Sequence, residues 1–143
     1  MTVPKSIPCF VINIKSRTER RAQVLKEFSS RGEFDVNVVN AIQNEVGAIS
    51  LWETICSVIK RGAGSSLDFI LICEDDHQFT NDYEAESFFK GIGEAMKNGA
   101  DILLGGVSWF TDVLFLTDSL IKVKRFTGTQ FVVIESYKVF KIL

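Results

Sequence analysis

The sequence predicts an α/β fold, a mainly parallel sheet with helices on both faces, and two observations carry that expectation. Five short apolar blocks rich in β-branched and aromatic residues recur along the chain, and the segments between the first four carry the apolar period of amphipathic helices. Strands that alternate with helices read as crossover units, which set successive strands side by side and parallel. With 143 residues, 46% hydrophobic and 24% charged, the chain reads as a single domain over residues 1–143 with its own core.

The first block, Cys9 to Ile14, reads as a buried strand. Behind it Ser16-Arg-Thr-Glu19 has the spacing of a capping box, in which serine caps a backbone N–H three residues on and glutamate reaches back. The helix it opens carries Ala22, Leu25 and Phe28 on its apolar face, and Gly32 stops it. Val36 to Val39 is the second strand. A second helix is expected from Val46 to Arg61, with Ile49, Trp52, Ile55 and Ile59 on one stripe, Ala48, Leu51 and Val58 on its flank, and Gly62 after it; so much apolar surface implies packing on two sides. Gly62 to Ser66 is a short loop. Phe69 to Cys73 is the third strand, and a third helix, Glu84 to Asn98, presents Phe88, Phe89, Ile92, Ala95 and Met96 despite Gly91 and Gly93. Ile102 to Leu104 and Phe131 to Ile134 complete the strands. No internal repeat or low-complexity stretch interrupts this order.

Composition excludes several classes. Sixteen basic against eighteen acidic residues give a net charge of −2, without the basic excess of a nucleic-acid binder, so no nucleic-acid partner is expected. No apolar run approaches the roughly 20 residues of a membrane helix, and Met1 to Ser6 has no basic head leading into a long apolar stretch. A cytoplasmic protein without a transmembrane segment is expected, with peripheral membrane association left open. Cys9, Cys56 and Cys73 are odd in number, far apart and set among apolar residues, the pattern of buried thiols rather than of a disulfide or metal site. There is no P-loop, G-x-G-x-x-G, G-x-S-x-G or H-E-x-x-H motif, and His77 is the one histidine.

In parallel sheets ligands bind beyond the carboxyl ends of the strands, which directs attention to the residues after each one. After the first come Asn13, Lys15, Ser16, Arg17, Arg20 and Arg21; after the second, Asn40 and Ala41; after the third, Glu74, Asp75, Asp76 and His77; after the fourth, Gly105 and Gly106. Three adjacent carboxylates at a strand end concentrate like charge, which solvent, a cation or a basic partner must compensate. Carboxylate oxygens suit Mg²⁺ or Mn²⁺, and one or two protein carboxylates leave coordination positions for diphosphate oxygens. A solvated acidic turn accounts for the same residues without a ligand. The basic group after the first strand sits at a helix N-terminus, where free N–H groups favour phosphate; the competing reading is a solvated arginine face paired with Glu19 and Glu27.

Glu74-Asp75-Asp76 after Ile-Leu-Ile resembles the acidic opening of a response-regulator receiver, but there that strand is the first and a later strand ends in a phosphoacceptor aspartate, where this chain has Gly105-Gly106. The order of motifs over most of the chain resembles glycosyltransferase family 25, the lipopolysaccharide-biosynthesis type. Phe10-Val-Ile-Asn13-Ile with Glu19-Arg20-Arg21 behind it, Asn40-Ala41, Gly47-Ala48 opening a helix with Trp52, Glu74-Asp75-Asp76, Asp101-Ile-Leu-Leu-Gly105 and Gly128-Thr129-Gln130-Phe131 carry the resemblance. It implies a GT-A-like (Rossmann-like) fold, a nucleotide-sugar donor, most simply a UDP-sugar, and a D-x-D-like motif at Glu74-x-Asp76. By that resemblance Asp76 is the metal ligand, with Glu74 or Asp75 facing metal or ribose, and Asn13, Arg17, Arg20 and Asn40 facing the nucleotide. The departures are Ser16 where the family has an arginine, Leu51-Trp52 where it has Ser-His, and Gln130 where a histidine is frequent.

The expected function is therefore metal-dependent transfer of a sugar from a nucleotide diphosphate sugar to a surface polysaccharide or lipopolysaccharide acceptor, with Mn²⁺ or Mg²⁺ as cofactor. Its alternative is a non-catalytic metal- or nucleotide-binding module. No residue is assigned as catalytic: Asp112, Asp118 and Glu135 are available as acceptor base, and no spacing singles one out. The chain stops at Val139-Phe-Lys-Ile-Leu143, an apolar run at helical spacing, from which a chain lacking a C-terminal acceptor portion, able to bind donor but poor in transfer, is expected.

Overall fold

The computed structural model describes residues 6–65 and 67–141. β1 (Ile7–Asn13), α1 (Thr18–Phe28), β2 (Phe34–Asn40), α2 (Gly47–Gly64), β3 (Phe69–Glu74), α3 (Ala85–Lys97) and β4 (Ile102–Gly106) follow the predicted alternation. Four short strands come next, β5 (Trp109–Thr111), β6 (Leu114–Phe115), β7 (Ile121–Lys122) and β8 (Arg125–Thr127), before β9 (Phe131–Glu135) and the short α4 (Ser136–Phe140). Ser66, Ile142 and Leu143, on which parts of the expected loop and terminal apolar run fall, lie outside the described residues. No helix among the described residues is long and apolar enough to cross a membrane.

The main sheet has the order β2-β1-β3-β9-β4. β1 pairs with β2 and β3 in parallel, whereas β9 inserts between β3 and β4 and runs antiparallel to both. This corrects the expected GT-A-like (Rossmann-like), mainly parallel sheet with helices on both faces: two of the four ladders are antiparallel, and beyond α3 short strands replace the helical alternation. The reason lies in the chain between β4 and β9. A parallel return needs a crossover long enough to carry the chain back along the sheet, usually a helix, whereas residues 107–130 form no helix and can close an antiparallel pair directly.

Side chains alternate along β1 and β3, as a period of two requires, and so feed two clusters. Cys9, Val11, Leu71 and Cys73 pack with Val24, Phe28 and Ile92, while Phe10, Ile12, Ile70 and Ile72 pack with Val58, Ile59 and Val139. Cys9 and Cys73 are buried free thiols and Cys56 is half-buried, so no disulfide forms among them.

Local details depart from the sequence reading. The capping box does not form: Arg17 is the N-cap of α1 and no side chain caps it. Val24 and Phe28, four apart, are the buried stripe of that helix, while Ala22 and Leu25 face solvent. Of the stripe expected on α2, Ile59 is buried, but Ile49 and Trp52 are exposed and Val58 and Thr54 take the inner face. Gly62 lies inside α2 rather than after it, and a Cβ there would meet the Ile70 side chain at 3.1 Å, so the glycine permits helix and strand to approach. α3 ends at Lys97, one residue before the expected Asn98, and Gly99 follows with φ +73°, a conformation that costs glycine little.

Candidate functional site

Three strand ends meet at one edge of the sheet. The carboxyl ends of β1, β2 and β3 are aligned by their register, with Asn13 beside Asn40 and Ile12 beside Glu74. Because β9 is antiparallel, its amino end arrives at the same edge: Phe131 pairs with Cys73, and the Glu74 amide donates to the Gln130 carbonyl at 3.0 Å. The turn after β3 is further held by the His77 amide on the Glu74 carbonyl at 3.3 Å.

The three carboxylates have different surroundings. Asp75 is buried and points inward, accepting from Asn13 Nδ2 at 2.8 Å and from the Arg20 guanidinium at 3.3 Å. Asn13 is itself only 1% exposed, and the same amide nitrogen donates to the Arg17 carbonyl at 3.2 Å, tying the start of α1 to the end of β1. Its carbonyl oxygen, Oδ1, is buried with no partner among the described residues. Asp76 is exposed; it accepts from Arg20 at 3.4 Å and from Gln130 Nε2 at 3.2 Å. Glu74, half-buried, accepts from the Thr129 hydroxyl at 2.9 Å. Arg20 therefore bridges Asp75 and Asp76 and supplies the positive charge that the acidic run requires.

The other predicted residues lie around this centre. Arg17 contributes its backbone carbonyl while its side chain is exposed, and Lys15 and Arg21 are exposed as well. Asn40 is exposed at the end of β2, beside Asn13 in the ladder. His77 is an aromatic filler, stacked on Phe131 with ring centroids 4.6 Å apart and edge-on to Phe79 at 4.6 Å; burial lowers its pKa. Of the three candidate bases, Glu135 belongs to the opposite edge, buried at the far end of β9 and paired with Lys138 at 2.8 Å. Asp112 and Asp118 are exposed in the segment between β4 and β9.

Thr129 and Gln130 were not among the predicted site residues, although Gly128-Thr129-Gln130 precedes a recognisable strand. A parallel last strand would have carried them to the opposite edge. Gly128 adopts φ +99° and a Cβ on it would stand 3.0 Å from the Ser108 nitrogen, so the turn that delivers them depends on glycine.

Glu74, at the end of β3, and Asp76, in the turn that follows, carry carboxylate oxygens, the donor type that hard divalent cations take. No group of three or more His, Cys, Asp or Glu among the described residues is arranged to hold a metal ion by itself. No protein-family model matches the chain, and no curated protein matches it.

Proposed function

We propose that this chain is a glycosyltransferase-type protein that binds a nucleotide diphosphate sugar, most simply a UDP-sugar, at the edge formed by Asn13, Arg20 and the Glu74–Asp76 run, and passes the sugar to a surface polysaccharide or lipopolysaccharide acceptor in the cytoplasm. The observation that carries it is convergence: Asn13 and Arg20 contact residues 62 and 55 positions further along the chain, and their partners are the acidic run at the end of β3. Two acidic side chains, Glu74 and Asp76, stand at the surface of that run beside an exposed guanidinium.

In this reading the roles divide by burial. Asp75 and Asn13 are structural: they fix the turn so that its neighbours present their oxygens outward. Asp76 and Glu74 hold Mg²⁺ or Mn²⁺, which supplies Lewis-acid stabilisation of the charge developing on the departing diphosphate. Arg20, 45% exposed, turns from Asp76 toward a phosphate oxygen and adds a second positive charge there. Thr129 and Gln130 set the orientation of Glu74 and Asp76 through the bonds described above.

The Arg20 bridge also supports a second reading, a non-catalytic nucleotide-binding module in which Arg20 alone balances the carboxylates. Calorimetry with UDP, with and without Mn²⁺, tests the shared site. Metal-dependent binding that Asp76→Asn abolishes and Arg20→Ala weakens by about 1–3 kcal/mol is expected; equal affinity in the parent and in Asp76→Asn refutes the site. Release of UDP from a UDP-sugar in the presence of oligosaccharide acceptor separates transferase from binding module.

A further inference from the structure

The segment between β4 and β9 is a nested hairpin whose outer ladder joins β5 to β8 and whose inner ladder joins β6 to β7. Its amphipathy is inverted. Eight of the fourteen large apolar side chains that the described residues expose lie between Trp109 and Phe126, with Phe115 80% and Leu114 59% exposed. The polar residues of its tip face the protein instead: the Thr117 and Ser119 hydroxyls both donate to Glu94 on α3, at 3.3 and 2.9 Å. With the tip anchored in this way, the cross-strand pair Phe115–Ile121 stands in water. An apolar patch of this kind on a chain otherwise well packed marks a contact surface.

Charge identifies what it contacts. The arm carries Lys122, Lys124 and Arg125 against Asp112 and Asp118, net +1 on a chain of net −2. All three basic side chains are exposed, and none forms an ion pair among the described residues. They follow directly on the apolar tip, Lys122 opposite Leu114 and Arg125 opposite Thr111 in the ladders. We propose that this arm seats on an anionic lipid surface, with Phe115 and Ile121, the cross-strand pair that shares one face of the inner ladder, entering the acyl boundary and the basic side chains reaching the level of the phosphates. An apolar group with adjacent cations is the composition that interfacial binding requires. Asp118 in the turn limits the depth to the interfacial zone. This inference stands apart from the nucleotide site and does not depend on it.

Vesicles of phosphatidylcholine alone and of equimolar phosphatidylcholine and phosphatidylglycerol test it by co-sedimentation. In a Trp52→Phe chain, Trp109 is the remaining tryptophan and its emission reports burial of the arm. Binding to the anionic vesicles, weakening as salt is raised, with a blue shift of Trp109, is the expected result. Lys122→Glu/Lys124→Glu/Arg125→Glu should weaken it by about a hundredfold or more, and Phe115→Ser/Ile121→Ser by roughly tenfold. Those side chains are exposed, so circular dichroism should be unchanged. The proposal is overturned if the parent ignores anionic vesicles, if both variants bind like the parent, or if the chain instead self-associates in a manner that Phe115→Ser/Ile121→Ser abolishes.

Discussion

The hydrogen bond from Asn13 to Asp75 is expected to be the strongest polar contact holding the candidate site, and a double-mutant cycle measures it. Both side chains are buried, at 1% and 7% exposure, and their 2.8 Å contact joins the ends of β1 and β3. A hydrogen bond to a charged group contributes about 1.5–3 kcal/mol, and a buried group left without its partner costs a similar amount. The Arg20 contact to the same carboxylate is longer, 3.3 Å, and the arginine is 45% exposed, so solvent screening holds its share below about 1 kcal/mol. Asp75→Ala should therefore cost about 2–4 kcal/mol and Asn13→Ala about 1.5–3, whereas Arg20→Ala should cost less than about 1. The double variant Asn13→Ala/Asp75→Ala should fall short of the sum of the singles by about 2 kcal/mol, because the second truncation removes a group already unpaired. Urea unfolding with unchanged m-values is the assay. For a chain of this size 1 kcal/mol corresponds to roughly 3 °C, which puts Asp75→Ala about 6–12 °C below the parent. A coupling below about 0.5 kcal/mol would refute the assignment. Loss of the coupling in high salt would transfer the effect to the Arg20 ion pair.

Three further outcomes follow from packing and burial. Gly105→Ala would bring a Cβ within 2.5 Å of the Phe131 ring, which is itself stacked on His77, and should destabilise by about 1–3 kcal/mol; Gly32→Ala, with open space around the new Cβ, serves as the neutral control in the same thermal melts. A thiol reagent at mildly alkaline pH should modify Cys56 first. Burial pushes the Cys9 thiol up to about 12 and raises Cys73 as well, so both should react only on unfolding, and labelling of either in the native chain contradicts the packing. The Tyr83 hydroxyl donates to Glu33 at 2.9 Å, and burial with that bond raises its pKa above the ordinary 10.0. Its contribution is fully present below pH 10 and is lost above it, as the unfolded chain ionises first. Tyr83→Phe should remove that alkaline loss of stability, and an unchanged pH profile would show that Tyr83 is not its source.

The sequence by itself determined the elements of the first two thirds of the chain and the residue types at their ends. Apolar period is a local property, and β1, α1, β2, α2, β3 and α3 each declare it; so does the abrupt change from Ile-Leu-Ile-Cys to Glu-Asp-Asp at the end of β3. Which face of a helix is buried was less legible, since Leu25 is as apolar as Val24 and Trp52 continues the helical spacing of Ile49, Ile55 and Ile59, and only the position of the neighbouring strands separates the faces. The tertiary structure alone decided the direction of β9. A five-residue apolar strand reads identically from either end, so its orientation depends on the connection that precedes it. Once β9 runs antiparallel, Thr129 and Gln130 reach the acidic run and Glu135 goes to the opposite edge, so the correction to the sheet also decides the membership of the site. The same holds for the distinction among the three carboxylates. They are consecutive and chemically alike, and only the approach of Asn13 and Arg20 from β1 and α1 makes Asp75 an inward anchor while Glu74 and Asp76 remain toward solvent, because burial and hydrogen bonding are set by chain segments more than fifty residues away.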